Sequence, residues 1–204
     1  VLARTPLFVW HPDGERNGER IASLTSAVDL YATVLDLLDI DADAADRVHS
    51  RSLLPLLAGD ADADDLHAHR DRALYGYWGS AVNVTDGEYT YLHPCDPSVE
   101  SYCHSTTMMN ARGFPLPTTP KTDAEAGGFV AHADGPVWRF AADSYAQLDE
   151  PLLFDVRDDP TQETNLADER TEERERLRAE LVAGLEALDA PEHQLDRLNL
   201  DPPA

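Results

Sequence analysis

Near the amino end, "TPLFVW" is an unbroken apolar run of strand length. Such a run predicts a strand at 5–10 that is buried on both faces. "HPDGERNGER" follows with Pro, two Gly and charges, and reads as a surface loop. From Ser23 to Leu38 the period becomes helical. Ala27, Val28, Tyr31, Val34, Leu35 and Leu38 share one face, and Asp29, Thr33 and Asp36 the other, so the first set is expected to face the core. Ser26 and Asp29 have capping-box spacing, with Asp in place of Glu. "SLLPLLAGD" predicts a short helix or turn that stops at Gly59. Strand, loop and helix together make half of a βαβ unit.

Beyond Asp60 the pattern changes. Residues 61–71 are acidic and low in complexity, and are expected to be a solvated connector. "ALYGYW" reads as a strand. "AVNVTDGEYTYL" predicts a hairpin at 81–92, with Asp86-Gly87 as a two-residue type I′ turn. In that register Val84 faces Tyr89 and Val82 faces Tyr91, while Asn83 faces Thr90. Residues 94–147 are rich in Pro, Gly, Thr and His and read as a long loop. "PLLFDV" predicts a strand at 152–156. Thr171 to Leu188 is an amphipathic helix, with Glu172 and Glu173 at its positive end and Leu177, Leu181, Leu185 and Leu188 along one stripe. The predicted organisation is the end of an α/β sheet domain at 1–60, a connector at 61–71, and a small antiparallel α+β subdomain at 72–204.

Composition narrows the classes. The 204 residues carry 39 acidic and 16 basic side chains, for a net charge of −23. No basic stripe exists to neutralise phosphates, which excludes a nucleic-acid binder. No apolar run approaches the roughly 18 residues of a membrane helix, so a soluble chain is expected, the cytoplasm being favoured. So large a negative charge repels itself at low salt and is screened at high salt, where the Debye length falls to about 3 Å at 1 M. A salt-loving, haloarchaeal host is the expectation, and unfolding on dilution of salt is its test. An apolar strand this close to a first residue that is not Met suggests a segment of a longer polypeptide.

Taken in order, these segments resemble the carboxy-terminal part of the sulfatases of the alkaline phosphatase superfamily. "TPLFVWHPD…GERIASLTSAVDLYATVLDLLDID" is similar to the strand and helix that follow the active-site loops in those enzymes. "SLLPLLAGD", "GSAVNVTDGEYTYL", "LLFDVRDDPTQETNLAD" and "APEHQLDRLNL" are similar to successive later landmarks. The resemblance covers most of the chain apart from about Cys95 to Gln147. It departs at Ala32, where the family often has Pro, and at Asp39, where it often has Gly. It implies the last strand and helix of an alkaline-phosphatase-like sheet domain plus the small subdomain, in a parent that hydrolyses sulfate esters. It also implies a divalent metal, Ca or Mg, and a formylglycine nucleophile made from a C/S-x-P-x-R motif. Neither Cys95 nor Cys103 stands in such a motif. The resemblance therefore transfers no catalytic residue and no metal ligand, and implies an amino-terminal sulfatase domain of the same polypeptide as partner. The alternatives are a phosphodiester or phosphonate hydrolase on the same scaffold, or a non-catalytic module that binds a partner.

Other residues invite chemistry. His11 follows the predicted strand, and Tyr77, Trp78 and His93 flank the hairpin. These four are the substrate-pocket candidates, against a reading as core or ordinary surface. His67 and His69 in the acidic stretch read as solvated, and His49 and His193 sit near helix ends. "HPC…CH", from His93 to His104, has the atoms for zinc but not the C-x-x-C spacing. Asn83-Val84-Thr85 is a glycosylation sequon inside a tight hairpin, where Asn83 reads more simply as a cross-strand partner. Asp155, Asp158, Asp159, Glu163 and Asn165 crowd one turn. That stretch lacks the central Gly of a calcium loop and reads as turn chemistry.

Overall fold

The structure is a computed structural model. It describes residues 5–12, 14–16, 18–41, 49–60, 62–77, 79–106, 123–130, 133, 135–142 and 148–200. The chain is mixed α/β with antiparallel pairing and divides into two compact units. The first comprises Val1–Tyr75, Asn83–Tyr91 and Leu152–Leu181, and the second Gly76–Val82, Leu92–Pro151 and Val182–Ala204.

A four-stranded sheet runs in the order β1 (Ala73–Gly76), β2 (Val82–Thr85), β3 (Tyr89–His93), β7 (Leu152–Asp155). β2 and β3 form the expected hairpin, with its turn displaced. Asp86 N donates to Tyr89 O at 3.3 Å, so these two residues pair and Gly87-Glu88 forms the loop. Gly87 has φ +88°, as the first residue of a Gly-first primed turn requires. The Asp86 carboxylate accepts from Glu88 N at 2.9 Å and Tyr89 N at 2.7 Å, which ties that side chain to the rim of the turn. The register shift is by two residues, so each side chain keeps its predicted face. Val84 and Tyr91 are fully buried, and Asn83, Thr85 and Thr90 on the other face are buried too.

Val156 N donates to Glu88 O at 2.8 Å, joining the end of β7 to the start of β3, so these strands run in opposite directions. Phe154 and Val156 point inward as expected. The acidic turn beyond them is built from side chains that accept from backbone N–H groups. Asp155 Oδ1 accepts from Arg157 N and Asp158 N, and Asp159 Oδ2 from Glu163 N at 2.7 Å and Thr164 N at 2.8 Å. These bonds, that from Thr164 N first, hold the Asp159 carboxyl below its ordinary range. Asn165 Oδ1 accepts from Leu153 N and Ala167 N, both at 3.0 Å, and so fixes the loop against the strand. Helix α3 (Thr171–Ala187) follows, with Leu177 and Leu181 wholly buried.

The amino-terminal half of the first unit departs from expectation in three ways. Residues 5–10 form no strand, since a strand exists only as a ladder and no described strand pairs with them. Phe8 is 93% and Trp10 80% exposed. Helix α1 (Asp29–Leu37) is shorter than predicted and turned the other way. It buries Asp29, Ala32 and Thr33, whereas Val28, Tyr31, Val34 and Leu38 lie exposed, Val34 by 50%.

The reason is Asp29, whose carboxylate is 0% exposed. It accepts from Ser26 N and Arg51 N, both at 2.9 Å, and from Arg70 Nε at 2.8 Å, with Arg70 Nη2 and His69 Nε2 against it as well. A charge so surrounded outbids an apolar stripe for the inside of the helix. The bond from Ser26 N is the reciprocal half of the predicted capping box.

Third, the stretch expected as a connector is packed into this unit. Ala22 N donates to Ala63 O, Leu24 N to Leu66 O, and Ser23 Oγ to Asp65 O. His69 is correspondingly buried against Asp29 rather than solvated, whereas His67 is exposed. α2 (Leu54–Leu57) ends at Gly59 as predicted, with φ +84°.

In the second unit, β4 (Ser101–Ser105), β5 (Glu125–Gly127) and β6 (Val137–Ala142) form an antiparallel sheet ordered β4-β6-β5, where the sequence predicted a long loop. "SYCHS" mixes small and polar residues, and β5 has three residues, so neither carries a period to read. α4 (Glu192–Arg197) also went unpredicted. Arg197 is buried and both its terminal nitrogens donate to Ser80 O at 3.1 Å. α1, α3 and α4 each stop on a left-handed residue, Asp39, Asp189 and Asn199. In each the next residue's N–H returns to a carbonyl five back, as in Ile40 to Leu35 at 2.9 Å. Asp39 thus takes the backbone shape for which the resembled family often uses Gly.

Candidate functional site

His11 and the turn after it lie in the first unit. His11 is half-buried and its carbonyl accepts from Gly14 N at 3.1 Å. Tyr77 and His93 belong to the second unit. Tyr77 is 56% exposed, and its carbonyl accepts from Ser80 N at 3.0 Å. His93 is buried, with Nε2 2.8 Å from Leu198 O. A carbonyl only accepts, so Nε2 carries the proton. That nitrogen pins the tail of α4 and is spent on structure. Trp78 lies outside the described residues.

A second group of chemically versatile side chains lies elsewhere in the second unit, on one face of β4-β6-β5. His104 faces Arg139 across one strand pair, and Arg139 faces Glu125 across the other. The three therefore form a row over the sheet, with Tyr102 two residues from His104 on the same face. Arg139 is fixed from several sides. Its Nη2 donates to Glu125 Oε2 at 2.8 Å, and its guanidinium carbon lies 4.0 Å from the Phe129 ring centre and 4.9 Å from that of Tyr102. Such cation–π contacts hold a guanidinium without using its N–H groups.

His193 of α4 joins the same face. Its ring packs edge-on to Tyr102 at 5.4 Å and lies 6.2 Å from His104, centre to centre. Burial first, then His193 and Arg139, depress the His104 pKa. Burial, then Arg139 and Arg197, depress that of His193 against an opposing pull from Asp196. Both rings are therefore neutral at neutral pH, each with one N–H to give and one lone pair. The His104 Nε2 atom is buried and has no hydrogen-bond partner among the described residues. Tyr102 Oη donates to Glu100 Oε2 at 2.6 Å. One fixed cation, two neutral imidazoles and two aromatic faces suit recognition of a small anion or hydrogen-bond acceptor.

Sequence reasoning touched this group only through the "CH" of the zinc reading and through His193, read as a residue near a helix end. Its members come from 102–104, 125, 129, 139 and 193, and no local period joins them. Cys95 is buried and Cys103 half-buried, and the two are not joined in a disulfide. Among the described residues no three of His, Cys, Asp and Glu are placed to hold a metal ion, and no helix is long and apolar enough to cross a membrane. Asn83 is buried in its hairpin, with no described partner for Oδ1, a poor setting for a glycan.

No protein-family description matches the chain, and no curated protein matches it. Two solved structures with similarity come from the metabolism of multiple glycosaminoglycans by Bacteroides thetaiotaomicron, and both carry designations ending in "S-sulf". One shares 16% identity over 80% of this chain and 25% of its own, with a TM-score of 0.44. The other shares 21% over 83% of this chain and 29% of its own, also with a TM-score of 0.44. The chain thus spans between a quarter and a third of the length of these structures. Likeness at this level does not assign it to a family.

Proposed function

We propose that this chain is the carboxy-terminal part of a sulfatase-like hydrolase of sulfate esters from a salt-loving, haloarchaeal host. Its nucleophile and the ligands of its divalent cation, Ca or Mg, would come from an amino-terminal domain of the same polypeptide. The supporting observation is the reversed helix α1. Its charged residue is buried and its apolar stripe exposed, and the apolar segment at 5–10, itself exposed, pairs with no described strand. Full burial of one large apolar side chain is worth about 1.5–3 kcal/mol. Phe8, Trp10, Val28, Tyr31, Val34 and Leu38 together represent a cost that a sheet laid against them would remove. The sequence resemblance names such a sheet, because in the resembled family "TPLFVW" and the helix after it close a parallel one.

The cation, when bound, would stabilise charge on the sulfuryl oxygens. Among the described residues no three of His, Cys, Asp and Glu are placed to hold it, and this portion would contribute packing and a border to the substrate. Extending the coding sequence upstream of Val1 and assaying both polypeptides on an aryl sulfate tests the reading. An in-frame C/S-x-P-x-R motif is expected, with hydrolysis by the longer polypeptide and none by the 204-residue chain. Turnover by the chain alone would refute the proposal. A Thr nucleophile with activity only on phosphodiesters would replace it.

A further inference from the structure

We propose that the Arg139–His104–His193 face of the second unit is an oxyanion-binding site, for a sulfate or carboxylate group. The geometry supplies what such a site needs. Arg139 is immobilised by Phe129 on one side, Tyr102 on another and Glu125 on a single nitrogen. Its side chain remains 29% exposed, which leaves guanidinium edge open. A guanidinium held still loses little entropy when it meets an anion, and its fork matches two oxygens. His104 stands opposite Arg139 in the strand register, and its buried Nε2 is without a described partner. An oxygen acceptor placed between them would take an N–H from each. His193, 6.2 Å from His104, closes the third side.

A metal ion is the rival occupant, and the ligand set decides against it. Arg139 lies between the rings and Glu125, and holds that carboxylate in an ion pair. Only two imidazoles are available, and no third His, Cys, Asp or Glu among the described residues completes a set. The site is also out of character for a chain of net charge −23. Over most of that surface an anion is repelled, so a fixed guanidinium with an open edge beside two neutral imidazoles selects by position. Glu125 competes for the same guanidinium, and that competition gives the sharpest test.

The site does not rest on sulfate-ester hydrolysis. A parent without sulfatase activity would leave it standing, and absence of anion binding would leave the enzyme reading standing. The experiment follows the imidazole signals of His104 and His193 and the Arg139 Nε–H signal by NMR in the 204-residue chain. Sodium sulfate replaces sodium chloride at constant ionic strength, and a parallel titration uses methyl sulfate. Saturable shifts in these three residues, absent at exposed His67, are expected. Glu125→Gln should tighten binding, and Arg139→Lys should weaken it about fivefold to tenfold, because a fixed fork is lost. Methyl sulfate binding as well as sulfate marks a site for an anionic group carried on a larger molecule. Sulfate binding alone marks a site for the free ion, and either result supports the proposal. Non-saturating shifts, or shifts that Glu125→Gln and Arg139→Lys leave unchanged, would overturn it. Because Glu125→Gln deletes one exposed ion pair, a misfolded Arg139→Lys protein would still leave a decisive variant.

Discussion

Replacing Asp29 by Asn should strongly destabilise the first unit. The carboxylate is wholly buried and gathers Ser26 N, Arg51 N, both Arg70 donors and His69. Burial alone would push its pKa up. The Arg70 hydrogen bond, the two backbone N–H groups and the Arg70 charge outweigh burial and bring it from 3.8 to about 2. That depression corresponds to about 2.5 kcal/mol. The sign follows from the depressed pKa. The contribution is complete above the unfolded value near 4 and is lost as pH falls toward 2, about half of it by pH 3.

Asn keeps one acceptor but turns an NH2 toward donors and leaves Arg70 without its anion, so a loss of about 3 kcal/mol at pH 7 is expected. Urea unfolding followed by circular dichroism, at pH 7 and pH 3 in one salt, measures it. Other carboxylates titrate in both proteins and cancel in the difference. The gap between wild type and Asp29→Asn should narrow markedly at pH 3. A loss under about 1 kcal/mol at pH 7, or an equal loss at both pH values, would refute the claim that this carboxylate turns α1.

Two further substitutions test local claims. Asn165→Ala removes the acceptor shared by Leu153 N and Ala167 N, and should cost about 1–3 kcal/mol in urea unfolding. Asn165→Asp, which keeps the acceptor, should recover most of that loss. Gly87→Ala forces a side chain onto φ +88° and sets its Cβ 2.8 Å from Leu66 Cδ1, so a thermal melt should show a loss of about 1–2 kcal/mol.

How far the sequence carried depended on where the deciding interaction lay. β2–β3, β7 and α3 were legible because period, turn residues and caps agree within each segment. The turn of the hairpin moved by one residue, and its register by two, because the Asp86 carboxylate accepts from Glu88 N and Tyr89 N, leaving Gly87 the positive φ. α1 was found but its face was not, since Arg70 lies 41 residues from Asp29 and no local pattern announces it. The candidate anion face was missed for the same reason. Its row of His104, Arg139 and Glu125 exists only once three short strands pair.

The exposed apolar stripe of α1 and the exposed segment at 5–10 are surfaces that the full polypeptide would cover. Light scattering and apolar-dye fluorescence of the chain in high salt, compared with a Phe8→Glu, Trp10→Glu, Val34→Glu variant, test this most directly. Self-association and strong dye binding by the wild-type chain are expected, both abolished in the variant with its melting temperature unchanged. A wild-type chain that is monomeric and binds no dye, or a variant that unfolds, would show that these residues are already covered within the chain and would contradict the claim.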